Sequence, residues 1–450
     1  MSLDAKKNSA VAYDVVVVGA GAGGICAALA AARNEARTLL LEKAPQIGGT
    51  GVHSPVSLIC KFHGTDHRPI NMGIHREMFP HAYRYSTRDK RSAAPRLTYD
   101  EKQLAVRYRE LLAAEPGLTV RTGAGVAAAE VRKGRIAALR LDDGERVEGE
   151  VFIDATADGN LGALAGAPFQ KGREADGALQ SATLVFTMSG VDRSRLKVPE
   201  YATRGGLDSL WKELSALYRE AKEKGETDNP KKSVVCFPYP DGERLLFNAN
   251  EVLGVDPTEP DSVEKALATG RRYVDELVAI IKRHPAFANA QVDFVAEKMG
   301  VREGRRILGD YVLTQEDCLR PARFDDMVVA CAYEIDIHDP DGGATRMVDI
   351  PDPGYYHIPY RCLIAKDLEN LLLGSRCISG DHEAHSSYRV ISGVSAIGQA
   401  AGTAAALAVR HETDPRGVPS KWIRFALREQ LQFVEGETEQ PPQWTPDIVY

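Results

Sequence analysis

Hydrophobic residues near the start of the chain come in unbroken runs rather than in alternation. Tyr13–Val18 is apolar and β-branched, the pattern of a strand buried on both faces. Glycines follow. An alanine-rich stretch from about Gly23 to Asn34 then predicts a helix, and Thr38–Leu41 predicts a second buried strand ending at Glu42. Strand, turn, helix and strand in that order imply a parallel sheet. The uncharged run Val15–Ala32 is about as long as a membrane span. Its four glycines, and the lack of a basic leader with a long aliphatic core, instead favour a buried strand, turn and helix.

Residues 51–97 show no period and are rich in His, Arg and Pro. Thr98 and Glu101 fit a capping box opening a helix through Leu112. Strands are predicted at Thr119–Thr122, Val126–Arg132, Ile136–Leu141, Val147–Glu150 and Val151–Thr156, with Asp143-Gly144 as a hairpin turn. After about residue 166 strands such as Ala182–Met188 alternate with amphipathic helices. One carries Leu207, Leu210, Trp211, Leu214, Leu217 and Tyr218, and another runs from about Ser262 to Arg283. A buried strand returns at Leu371–Leu373, followed by an Ala/Gly-rich helix over Ser392–Val409 and a last helix near Ser420–Phe433. The expected organisation is one domain in two parts, 1–165 and 360–450, with a substrate or cap domain inserted at 166–359.

Composition excludes more than it identifies. Hydrophobic residues make up 44% of the 450 residues and charged residues 26%, as in ordinary globular chains. A net charge of -7 gives no reason to expect nucleic acid or an anionic membrane as partner. The seven cysteines contain no CxxC pair, which argues against a redox disulfide or zinc knuckle and suits a reducing cytoplasm.

Gly19-Ala20-Gly21-Ala22-Gly23-Gly24 matches G-x-G-x-x-G between a strand and a helix. Gly19 permits the turn, Gly21 lets a pyrophosphate approach the backbone, and Gly24 lets the helix pack on the sheet. The helix start offers free N–H groups to phosphate. Glu42, 18 residues past Gly24, stands where a carboxylate binds a ribose hydroxyl. Lys43 and the Gly48-Gly49 pair follow directly.

This stretch resembles the start of the FAD-binding flavoproteins of the glutathione-reductase-like superfamily, where V-G-x-G-x-x-G is followed by E-K and G-G. Asp154-Ala155-Thr156-Ala157-Asp158-Gly159 resembles their I-D-A-T-G-D-G segment, with Ala157 in place of a glycine. Leu371–Ser379 resembles a closing flavin strand, with Ser375 where glycine is usual, and Gly300–Arg306 is also similar to one family of FAD-dependent oxidoreductases. The resemblance implies an α/β fold: a Rossmann-like FAD-binding domain with an inserted α+β, mixed-sheet domain. It implies bound FAD, held by Gly19, Gly21, Ala22, Gly24, Glu42, Lys43, Gly49, Thr50, Val126, Ala155, Asp158, Arg376, Ser392 and Gly393. The helix start near Ser392 and Gly393 is expected to face the flavin.

Flavin carries out hydride transfer, so the protein must supply a base and a fixed cation. The densest group of suitable residues is His382, His385, Tyr388 and Arg389, with either histidine as general base and Arg389 as carboxylate clamp. An ordering role for the loop around FAD is an equal reading. His382-x-x-His385 and His63-x-x-x-His67 lack the further ligands a metal needs, so no metal is expected. Residues 61–97 hold eight Lys/Arg against three acids, which reads as a solvated surface, a homodimer contact or a lid for an anionic substrate. Cys60 lacks a partner cysteine and reads as structural; His338 or His357 is a candidate to face the flavin across the cleft, though each alone reads more as a core or surface histidine, and His53 follows the glycine pair without an assigned role.

The function expected is an FAD-dependent oxidoreductase of dehydrogenase or oxidase type acting on a small polar molecule, with an anion favoured. Two other readings stay open on the residues alone. One is a single-component flavin monooxygenase reduced by NAD(P)H; the other is a non-catalytic FAD-binding protein or a subunit of a complex.

Overall fold

Val15, Val16 and Val17 are fully buried, and the strand that carries them, Ala12–Val18, lies inside the main sheet. The computed structural model describes residues 12–66, 68–81, 97–199 and 204–442. Ala12–Val18 pairs in parallel with Thr38–Glu42 on one side and Arg146–Asp154 on the other. Leu118–Thr122 adds a parallel strand beyond Thr38–Glu42. Arg146–Asp154 serves two further neighbours: its first half pairs antiparallel with Arg135–Leu141, and its last residues pair in parallel with Leu371–Leu373. The two strands predicted between Val147 and Thr156 are thus one strand, because no turn residue interrupts the pleat. The Asp143-Gly144 turn joins the hairpin as expected, with the Gly144 amide donating to the Leu141 carbonyl.

The predicted capping box at Thr98 does not form. Asp100 caps the helix Glu101–Ala113, its Oδ1 accepting the amides of Lys102 at 2.9 Å and Gln103 at 3.0 Å. A carboxylate at the positive helix end is a strong cap, and Thr98 is instead paired in a short strand, Leu97–Thr98, against Leu58–Ile59. Within the stretch expected to be irregular, Gly49–His53 and Gly73–Met78 are short helices. His67, Arg84, Arg88, Asp89, Lys90, Arg91 and Arg96 lie outside the described residues. In the described part of that basic stretch, Lys61 is paired with Glu334 and Asp349, and Arg68 lies over the Phe433 ring.

The inserted unit builds a four-stranded sheet in the order Cys236–Pro238, Leu245–Phe247, Phe186–Ser189, Gln291–Val295, antiparallel at each pairing. The helices Arg204–Glu223 and Pro260–Ile281 supply its apolar cover. Its hydrophobic core runs from Ala182 to Met299. Residues from Ile307 to Tyr360, expected in the insertion, pack instead into the core of the main sheet, because Met327–Cys331 and Tyr356–Pro359 are apolar strands paired with each other.

The helix Ile391–Arg410 is long and apolar enough to cross a membrane, yet 94% of its apolar window is buried inside the protein. It lies against the first helix, Ala22–Arg33, at backbone distance. A Cβ at Gly398 would sit 1.9 Å from the Gly23 carbonyl oxygen, and one at Gly402 would sit 2.0 Å from that of Ala27. Those obstacles are main chain and cannot rotate away.

Gly398→Ala tests this contact. Alanine favours an isolated helix, but here it must push two helices apart, so a net loss of about 1–3 kcal/mol is expected. The urea midpoint of the variant measures it; an unchanged midpoint would refute the contact.

Candidate functional site

The first turn after Ala12–Val18 is held open by Gly19, whose φ of +102° is available to glycine and costly for other residues. A side chain there would also strike the Ala155 carbonyl at 2.7 Å. Glu42 braces the turn from the neighbouring strand: its Oε2 accepts the Ala20 amide at 2.8 Å and its Oε1 that of Ala44 at 2.9 Å. The second glycine loop touches the first, since a Cβ at Gly49 would come within 2.8 Å of Gly21 Cα. Gly21 differs from these. Its Cβ would meet no atom nearer than 3.9 Å, so its openness serves space in front of the helix rather than packing within the protein.

Asp154 ends the long strand fully buried, accepting from the Thr156 amide and hydroxyl and from the Gly162 amide. Burial raises its pKa to about 6 despite those bonds. The loop that follows is tied down by Arg376, which donates to the Ala157 and Val301 carbonyls and pairs with Asp158 at 2.9 Å.

These segments line one cavity of about 480 Å³, within the range of small-molecule and cofactor sites. Gly19, Gly21, Ala22, Glu42, Lys43, Gly49, Thr50, Val126, Ala155, Asp158 and Arg376 all stand on its wall. Gly24, Ser392 and Gly393 do not. Gly24 packs against the Gly19 carbonyl. The Ser392 hydroxyl turns away to the Cys60 and Lys61 carbonyls, and Gly393 lies against the Tyr388 carbonyl. Val390, Ile391 and Val394 present the start of that helix to the cavity instead. Neighbouring helical positions point about 100° apart, which is why a one-residue shift changes the face. The wall suits a dinucleotide: an open-faced glycine at a helix start, a carboxylate at the next strand end, and the apolar Val126 beside them.

The far end of the cavity is charged. Arg389 lines it and contacts Asp336 at both the carbonyl, 3.2 Å, and Oδ2, 3.3 Å. The Tyr333 hydroxyl donates to Asp336 Oδ2 at 2.9 Å. His338 lies between two carboxylates, with Nε2 3.5 Å from Asp336 and Nδ1 3.7 Å from Glu251. Burial and then the Arg302 charge hold His338 below the usual imidazole range. Burial opposes ionisation of Asp336, but His338, Arg389 and Arg302 outweigh it and keep the carboxyl below its ordinary range. Cys60 lines the same cavity, and burial pushes its thiol up to about 12. His53 is also on the wall, with Nε2 3.4 Å from the Gln46 carbonyl.

His382 and His385, the expected bases, sit on the short helix His382–Tyr388 behind that wall. His382 Nδ1 lies 3.0 Å from Glu303, a fully buried carboxylate that also pairs with Arg306. His385 is fully buried, and neither ring nitrogen has a partner among the described residues. Burial, reinforced by Arg306, drives its pKa well below the usual value, so it stays neutral out of reach of the cavity. His357 pairs with Glu435 away from the wall. The sequence reading missed Asp336, Tyr333 and Arg302 as site residues. The only signal for Arg302 was its place in the Gly300–Arg306 segment.

The family described as FAD dependent oxidoreductase matches residues 14–431. Over 36 residues the chain is 64% identical to digeranylgeranylglycerophospholipid reductase of Methanocaldococcus jannaschii, covering 8% of this chain and only 9% of that protein. Among solved structures, GidA of Aquifex aeolicus shares 13% identity at a TM-score of 0.50, over 95% of this chain and 71% of that one. A geranylgeranyl bacteriochlorophyll reductase-like protein of Thermoplasma acidophilum shares 14% identity at a TM-score of 0.43, over 94% and 84%. The likeness to GidA shows a shared fold.

Two outcomes follow from this geometry. Glu42→Ala removes the brace of the glycine turn and is expected to weaken flavin retention about tenfold, read from the flavin-to-protein absorbance ratio after gel filtration. His385 has a folded pKa below its unfolded value of 6.5, so its contribution to stability is present above that pH and lost as pH falls below it. The urea midpoint of His385→Leu should therefore fall less than that of the parent between about pH 7.5 and about pH 5. Parallel curves would place His385 in solvent.

Proposed function

The chain belongs to the FAD-dependent oxidoreductase family, and from that premise we propose that it transfers a hydride between FAD and a small polar substrate held between the nucleotide-binding sheet and the inserted unit. The observation that supports this reading is one cavity reaching from Gly19 and Glu42 to the charged group Asp336, His338 and Arg389. Ligand sites favour such junctions between units.

FAD, when bound, supplies two-electron chemistry at its flavin ring. Gly19, Gly21, Ala22, Glu42 and Lys43, with Ala155, Asp158 and Arg376, would hold it. Val390 and Ile391 present the start of the long helix to the cavity, where its dipole would favour negative charge on a bound flavin. We read this as the arrangement of a glutathione-reductase-like flavoprotein.

His338 takes the substrate proton in this reading. It is neutral near pH 7 because burial and Arg302 disfavour the imidazolium, so one ring nitrogen carries a lone pair that can accept the proton. Asp336 and Glu251 orient the ring from either side and stabilise it once charged. Tyr333 retains its own proton, since burial raises its phenol well above the usual value, and it fixes Asp336 by hydrogen bond. Val56, Leu58 and Met299 add apolar surface to the same cavity. One dinucleotide cradle is formed among the described residues, which favours a dehydrogenase or oxidase over an enzyme with a resident nicotinamide site.

The test is an anaerobic screen of small polar metabolites against the FAD-loaded protein, watching the oxidised flavin band. Bleaching by a metabolite alone is the expected result. Bleaching that requires NADPH would move the protein to the monooxygenases and sink the dehydrogenase reading.

A further inference from the structure

We infer that Arg302 binds the carboxylate of a singly charged organic acid, making a monocarboxylate the substrate class of this cavity. The inference rests on the reading above of the cavity's charged end as the substrate site.

Arg302 is only 6% exposed, lines the cavity, and makes one hydrogen bond, from Nη1 to the Ser181 carbonyl at 2.5 Å. It has no ion pair among the described residues. A guanidinium has five N–H donors, so most of this one is unused. The other buried cations nearby are all matched. Lys231 pairs with Glu251 at 2.9 Å, Arg389 with Asp336 at 3.3 Å, Arg376 with Asp158 at 2.9 Å, and Arg306 with Glu303. An isolated buried cation is costly unless something compensates it. The strain is visible in Arg302 itself, whose pKa burial lowers to about 10, with the Arg389 charge adding to the effect.

The balance of buried charges favours a singly charged partner. Around this end of the cavity stand Lys231, Arg302 and Arg389 against Glu251 and Asp336. His338 is neutral because burial lowers it, and Tyr333 and Cys60 are neutral because burial raises them. Lys298, which also lines the cavity, is exposed, so solvent screens its charge. Among the buried groups one positive charge is left over. A phosphate ester, with between one and two negative charges at neutral pH, overshoots it, and a neutral molecule leaves it unmet. A monocarboxylate cancels it, and its two oxygens match the planar fork of the guanidinium. Arg389, already engaged by the Asp336 carbonyl and carboxylate, borders the bound anion without being its counter-charge.

The experiment uses the FAD-loaded protein and three probes: propionate, propionamide and inorganic phosphate. Binding is followed by calorimetry and by the perturbation of the flavin spectrum, and flavin content is measured for each variant. Propionate is expected to bind, with propionamide and phosphate weaker by about tenfold or more. Arg302→Met should keep its flavin and lose propionate affinity by about tenfold or more, while Arg302→Lys, which keeps the charge but not the fork, should fall between. Unchanged propionate affinity in Arg302→Met overturns the inference. So does equal binding of propionamide, or a variant that loses FAD while binding propionate normally once reloaded, which would make Arg302 a flavin contact. The two readings fail separately. Bleaching by an uncharged metabolite leaves the oxidoreductase reading standing and removes the carboxylate. Propionate binding that depends on Arg302, with no metabolite bleaching the flavin, does the reverse.

Discussion

The nucleotide site depends on two helices meeting with nothing but main chain between them. Gly23 of the first helix and Gly398 of Ile391–Arg410 approach until no side chain would fit, and the loop after Leu371–Leu373 joins them, since a Cβ on Gly23 would also lie 2.3 Å from the Gly374 carbonyl. Dispersion and exclusion of water act over the whole length of this contact. Its effect is positional. It sets the start of each helix against the same cavity, so that Ala22 from one and Ile391 from the other share a wall. The Glu42 brace, the Asp154 bonds and the Arg376 tie then fix loops around a frame that the helix pair has already defined.

Much of this frame was legible in the chain. The strand, glycine turn, helix, strand and Glu42 are local and consecutive, and each agrees with its neighbours, as funnelled sequences require. Reading failed where two local solutions competed. Thr98 and Asp100 both precede the same helix, and spacing alone does not reveal that Thr98 is committed to a strand. It also failed where the answer was tertiary. The residues His382, His385 and Arg389 are close in sequence, yet a short helix turns the first two inward and only the third reaches the cavity. Asp336, Tyr333 and Arg302 become neighbours only when the strand after Cys331, the segment after Met299 and the inserted sheet fold together. An unpaired charge is a statement about every surrounding residue, and no window of sequence contains it.

Two buried polar groups join the inserted unit to the main one, and they differ in kind. Glu303, Arg306 and His382 form a closed set, completed by the Gln180 amide and the Gly172 and Gly380 carbonyls. Such a set fixes orientation, because a small displacement would leave charges unmatched in a low dielectric. The set around Asp336, His338 and Arg302 is unclosed on its cavity side. The two sets meet in sequence at Arg302 and Glu303, so the closed set anchors the segment that carries the unclosed one.

The cavity is also ordered in time. Chains emerge from the ribosome from the amino end, and domains fold as they appear. Gly19 and Glu42 are made early, the inserted unit next, and the helix that closes the site only near residue 410. Until then the groove awaiting that helix is an apolar strip along Ala22–Arg33, the kind of surface chaperones recognise. A cavity whose walls come from both ends of the chain is thus complete only late in synthesis.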